Sequence, residues 1–129
     1  MKKLLVLIFS ILISLNSFGE WTKFSDSTNG DKFFIDIDSI KEHNGSVFFW
    51  KLRDYIKPDV TGDLSVSMYS EGDCGMFRER TLSFIFYARS MGKGNGNQMA
   101  PDGNSVDWRY PAPGSIYHGV LNFVCDYVK

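Results

Sequence analysis

Two cysteines, Cys74 and Cys125, are the most reactive side chains in this 129-residue sequence. Three chemistries are open to such a pair: a disulfide, a shared metal, or free thiols. Neither cysteine belongs to a Cys-x-x-Cys, and His43 and His118 stand at no ligand spacing from them. Two carboxylate pairs come next, Asp36 with Asp38 and Glu71 with Asp73. Paired carboxylates can move protons or bind calcium, but neither pair has the spacing of a calcium loop. Asp38 reads as a cap on a turn at Ser39-Ile40, and Glu71 and Asp73 as solvated loop residues beside Cys74. An enzyme would need Asp36, Asp38 or His118 to converge on a concave pocket, and no spacing asks for that. Gly92-Lys93-Gly94-Asn95-Gly96 follows a strand pattern, as phosphate loops do. It lacks the Lys-Ser/Thr pair, and no helix follows it, so it reads as a flexible connection. The expectation is a non-enzymatic chain with no metal and no cofactor.

Which cysteine chemistry applies depends on the compartment. Lys2 and Lys3 precede an apolar run over residues 4–15, broken only by Ser10 and Ser14, and the small residues Ser17 and Gly19 stand at the −3 and −1 positions of a cut after Gly19. These are the three parts of a secretory signal, and the run is shorter than the ~20 residues that cross a bilayer. The reading is a signal peptide at 1–19 and one domain at 20–129, with no transmembrane segment in the mature chain. No cysteine lies near the cut, so the chain is expected to be exported without a lipid anchor. In an oxidising compartment two cysteines read as one disulfide. It would close a loop of about 50 residues, worth up to ~4 kcal/mol.

Removing Lys2 and Lys3 leaves 12 basic against 15 acidic side chains, a net charge of −3. No basic field for nucleic acid remains.

The elements that must position these groups are mostly strands. Residues 21–24 and 32–37 read as the first two. His43-Asn44-Gly45 is a hairpin signal. Residues 47–56 alternate cleanly, with Phe48, Trp50 and Leu52 on one face and Phe49, Lys51, Arg53 and Tyr55 on the other. Residues 64–69 and 80–91 alternate too. Residues 92–105 read as an exposed loop, and Trp108-Arg109-Tyr110 as a short strand. After Pro113-Gly114, Ser115 is an N-cap. Ile116, Val120, Val124 and Val128 then recur every four residues, with Cys125 on the same apolar stripe. If that stripe faces the core, the disulfide pins the helix onto the sheet. The fold class is therefore α+β: a single antiparallel sheet of about five to six strands, with a C-terminal helix packed on one face and tethered by a disulfide. Aromatic residues on both strand faces leave a surface for a partner or a second copy. Lys51, Arg53 and Tyr55, with Lys93 in the long loop, are the candidate exposed contacts.

Set in order, several of these segments resemble the surface-adhesin protein E family of exported Gram-negative proteins. They are Trp21, Phe34-Ile35-Asp36 with Asp38-Ser39-Ile40, and Trp50-Lys51-Leu52-Arg53-Asp54-Tyr55. Ser70-Glu71-Gly72-Asp73-Cys74 with Arg78 and Met91-Gly92-Lys93-Gly94 follow. Trp108-Arg109-Tyr110, Pro113-Gly114-Ser115 and Cys125 complete the set. The resemblance covers roughly residues 21 to 125 and lies in order and spacing rather than in one motif. It implies about six antiparallel strands, a C-terminal helix tethered by the cysteine pair, and a periplasmic or outer-surface location. It also implies protein partners, such as host matrix and plasma proteins (vitronectin, laminin, plasminogen), and an ability to form homodimers. A soluble periplasmic housekeeping or inhibitor-like domain is the alternative.

Overall fold

The computed structural model describes residues 20–101 and 107–129. The expected signal peptide, residues 1–19, lies outside them, as does the 102–105 part of the expected loop. Six strands form one antiparallel sheet in sequence order: β1 (Thr22–Asp26), β2 (Lys32–His43), β3 (Ser46–Asp54), β4 (Ser65–Asp73), β5 (Arg78–Arg89) and β6 (Lys93–Met99). One helix, α1 (Ile116–Tyr127), crosses a face of it. The meander arises because each connection is short enough to return the chain beside itself. The sharpest return is Asn44-Gly45, where both residues have positive φ (51° and 81°), the geometry a two-residue hairpin needs.

α1 begins where Ser115 accepts a hydrogen bond from the His118 N–H at 3.2 Å. Its stripe of Val120, Leu121, Val124 and Cys125 is buried against Ile35, Val47 and Phe49. Each of these large side chains contributes about 1.5–3 kcal/mol by leaving water. Close approach depends on Gly72 in β4. A methyl group there would stand 2.6 Å from Cδ1 of the fully buried Leu121. Cys74, in the turn between β4 and β5, bonds to Cys125 of α1. The disulfide thus ties the helix to the sheet at the β4–β5 turn, as the cysteine count and the apolar stripe anticipate.

Because neighbouring strands pair directly, rows of side chains share a face. Ile35, Lys51, Met68 and Phe84 form one row on the helix side, and Phe33, Arg53, Val66 and Phe86 the next. The far side carries Phe34, Leu52, Ser67 and Ile85. There a single 3-10 turn, Ser90–Gly92, folds back over the sheet. Ser65 Oγ donates to Arg89 O (2.7 Å) and accepts from Gly92 N–H (2.9 Å), while Met91 N–H donates to Asp54 Oδ1 (2.8 Å). Leu52 is fully buried near this turn.

Four local expectations change. Asp38-Ser39-Ile40 is no turn; it lies inside β2 as a bulge, where the register jumps between Asp36 and Lys41. Ser39 Oγ accepts the Trp50 N–H at 2.9 Å and donates to Asp36 O at 2.7 Å, so it replaces the missing ladder bonds. Glu71-Gly72-Asp73 continues β4 to its end rather than forming a loop. Residues 93–99 are not irregular but the edge strand β6, exposed at every position. Backbone pairing, with one side-chain bond from Gln98 Nε2 to Ser83 Oγ (3.2 Å), holds it, so its sequence carries no alternation to read. Finally, Trp108-Arg109-Tyr110 is reduced to a single bridge between Arg109 and Glu79.

Candidate functional site

β3 carries the side chains from which the site grows. On its helix side the sequence runs Val47, Phe49, Lys51, Arg53 in alternation, so two core residues lead directly into two cations. α1 covers the first pair completely. Its first turn places Tyr117 over the second pair.

Lys51 is the residue whose position differs most from expectation. It was expected to be exposed, but only 3% of its surface meets solvent. The physical reason is an acid the local pattern could not reveal. Glu79, on β5 and 28 residues away, accepts hydrogen bonds from Lys51 Nζ at Oε1 (3.0 Å) and Oε2 (3.2 Å). The ammonium also lies 4.1 Å from the centre of the Tyr117 ring. Burial pushes the Lys51 pKa below its ordinary value, against the pull of Glu79, and Arg109 nearby pushes it the same way. Glu79 is held by its backbone, which exchanges hydrogen bonds of 2.9 and 2.8 Å with Arg109. The strap from Arg109 to Ala112 therefore sits beside the ion pair.

These groups line an open cleft of about 390 Å³. Met68 and Phe84 give it an apolar floor, Tyr110 and Tyr117 form aromatic walls, and Lys51, Glu79 and Arg109 are among its charged lining. Arg109 and Tyr110 are exposed.

Arg53 lies beside the cleft, on the other side of Tyr117. Its guanidinium donates to Asp31 Oδ2 from Nη2 (2.7 Å) and Nε (2.9 Å), and about a third of the side chain remains in solvent. It packs over Phe33 and Tyr55, at 5.3 and 5.4 Å from their ring centres. Burial raises the pKa of both Tyr55 and Tyr117. Tyr55 is half-buried, and Lys93 is exposed at the start of β6, opposite Arg89, away from the cleft lining. Of the four candidate contacts, then, Arg53 and Tyr55 come together, Lys51 lies inside next to them, and Lys93 stands apart.

Asp31 anchors this corner. Burial alone would raise its pKa, but the Ile56 N–H at 2.9 Å and the Arg53 guanidinium outweigh that and hold it below the usual carboxylate value. A depressed carboxylate stabilises the fold above its unfolded pKa, and that contribution disappears as pH falls through its folded pKa. Urea unfolding between pH 7 and pH 2 should therefore show stability falling below about pH 4. The Asp31→Asn variant should be weaker at pH 7 and its acid slope shallower. An unchanged slope would show that Asp31 does not carry this effect.

At the start of the same strap, two arginines lie over the Trp108 ring. Arg78 is 4.3 Å and Arg80 4.5 Å from its ring centre. Both are also paired, with Asp73 (2.9 Å) and Glu71 (2.8 Å) respectively. Glu71 and Asp73, read from sequence as solvating a loop, thus fix an aromatic–cation stack. The acid–base alternative does not assemble. Asp36 pairs with Trp50 on the face away from the helix, while His118 packs 4.7 Å from the Phe77 ring centre. Among the described residues no three His, Cys, Asp or Glu side chains gather as a metal-ligand group, and no helix is long and apolar enough to cross a membrane.

Sequence reasoning missed Glu79, Tyr117, Arg109 and Asp31. The one legible signal was the change from Val47 and Phe49 to Lys51 and Arg53 on a single strand face. A buried apolar face that turns cationic before the strand ends requires acids from elsewhere in the fold.

The family model described as surface-adhesin protein E matches residues 21–126. Among solved structures, a crystal form II structure of Haemophilus influenzae protein E aligns with a TM-score of 0.63 at 20% identity, covering 84% of this chain and 90% of that one. The selenomethionine form of the same protein aligns with a TM-score of 0.60 at 19% identity, covering 81% and 85%. At such identities the structural likeness speaks for the fold. No curated protein matches the sequence.

Proposed function

The chain belongs to the surface-adhesin protein E family, and from that premise we propose that it is an exported, non-enzymatic binding domain whose partners are proteins. The observation that carries this reading is the extent of the family match, which takes in all six strands, the helix and both cysteines. Host matrix or plasma proteins are the partners if the domain stands at the outer surface. The contact surface is the helix side of the sheet, where Arg53, Tyr55, Arg109 and Tyr110 offer cations and aromatic rings together. Such residues are enriched where proteins bind. Lys51 acts there as an internal brace, and Lys93 is a separate peripheral contact.

Protease shaving of intact cells tests the location, and interferometry on immobilised laminin, vitronectin and plasminogen tests the partner. The expected result is loss of the protein on shaving and saturable binding that weakens in an Arg53→Glu variant. Full protection from protease, with no saturable binding to any of the three, would overturn the host-binding reading. It would favour a domain that works in the periplasm.

A further inference from the structure

Among the described residues, the cleft beside the buried ion pair has a charge left over. Arg53, Arg78 and Arg80 each have a carboxylate partner within 2.9 Å. Lys51 occupies both oxygens of Glu79. Arg109, whose backbone pairs with Glu79, has no ion-pair partner among the described residues. It stands exposed at the cleft, close enough to Lys51 for the two positive charges to oppose each other. The rest of the lining is largely carbon, from Met68, Phe84 and Tyr110. A guanidinium with no ion-pair partner among the described residues, over an apolar floor, matches a carboxylate that arrives next to an apolar group.

We propose that this cleft receives an acidic side chain, flanked by an aromatic or aliphatic one, on a peptide segment of a protein partner, with Arg109 pairing the carboxylate. This rests on the reading of the chain as a protein-binding domain and names the chemistry of its contact. The volume of about 390 Å³ suits one or two side chains. The surface also continues past Tyr117 to Arg53 and Tyr55, so a chain segment can extend beyond the slot where a small free acid cannot.

The test is a titration of the oxidised, nitrogen-15-labelled domain with the capped peptide acetyl-Glu-Phe-Glu-amide. Its uncharged counterpart acetyl-Gln-Phe-Gln-amide and phenylacetate serve as comparisons. The expected result is saturable movement of the Thr81, Tyr110 and Tyr117 amide signals with the acidic peptide, and binding about tenfold weaker for the glutamine peptide. The exposed Arg109→Gln change should cost a similar factor with the spectrum otherwise intact, while Lys41→Gln should not. Equal binding of the two peptides, shifts confined to other surfaces, or an unaffected Arg109→Gln variant would overturn the proposal. Phenylacetate binding as tightly as the peptide would also overturn it, assigning the slot to small acids. If the acidic peptide fails while laminin, vitronectin or plasminogen still binds, only the slot falls. If the peptide binds and those three do not, the slot stands and the host-binding reading falls.

Discussion

Replacing Glu79 with glutamine should cost about 3–5 kcal/mol at pH 7, because it leaves the Lys51 ammonium buried without its partner. Lys51 keeps 4% of its side chain in solvent and Glu79 11%, so water cannot take over the lost contacts. The direction of the pH response is fixed by the same geometry. Burial already places the Lys51 pKa below its unfolded value. The folded state then holds fewer protons than the unfolded one between those two values, so stability rises with pH across that window. In Glu79→Gln the window widens, and part of the lost stability should return as the pH is raised toward 10. The double variant Lys51→Met/Glu79→Leu should recover most of the loss or exceed wild type, since a packed apolar pair avoids the desolvation of both ions. Urea unfolding of the wild type and the two variants checks all of this. A Glu79→Gln loss below about 1 kcal/mol would mean that the pair is solvated.

Exchanging Cys74 and Cys125 for serine should lower stability by about 4 kcal/mol, the loop-closure entropy for a separation of 51 residues. For a domain of roughly this size that corresponds to a fall of more than about 15 °C in Tm. The effect should be concentrated at the helix. α1 is joined to the sheet at its start through the strap and at its last turns through the disulfide. Without the bond, its packing on Val47 and Phe49 must hold it alone. Amide exchange should therefore quicken first at Val124 and Cys125 and only later in β3 and β4. Uniform loss of protection across the sheet would show that the disulfide holds the whole domain rather than the helix.

The two results bear on how the fold and the site are written in the sequence. The α+β class, the hairpin at Asn44-Gly45, the helix with its Ser115 cap and the cysteine tether were legible because each rests on local spacing. The bulge in β2 was not legible, since Ser39 supports it through a hydrogen bond to a neighbouring strand. β6 was hidden because a Gly-Asn-rich edge strand pairs through its backbone and buries nothing. The site was only half legible. Arg53 and Tyr55 were found from alternation, but Lys51 was placed outside because period two gives two faces and does not say which one the helix covers. Only the packing of Val120, Leu121 and Val124 on Phe49 decides that the face shared by Phe49 and Lys51 is the covered one. Glu79, Tyr117 and Arg109 come from three distant segments, and only the packing of helix and strap onto the sheet brings them together.

The central claim is that helix and sheet together build a protein-binding surface around Tyr117, Arg53 and Arg109. Interferometry of the purified domain on laminin, vitronectin and plasminogen, with and without reductant, tests it most directly. The account predicts saturable binding by the oxidised domain that is largely lost once the Cys74–Cys125 bond is reduced and the helix loosens. Binding that survives reduction unchanged, or its absence from the oxidised domain, would contradict it.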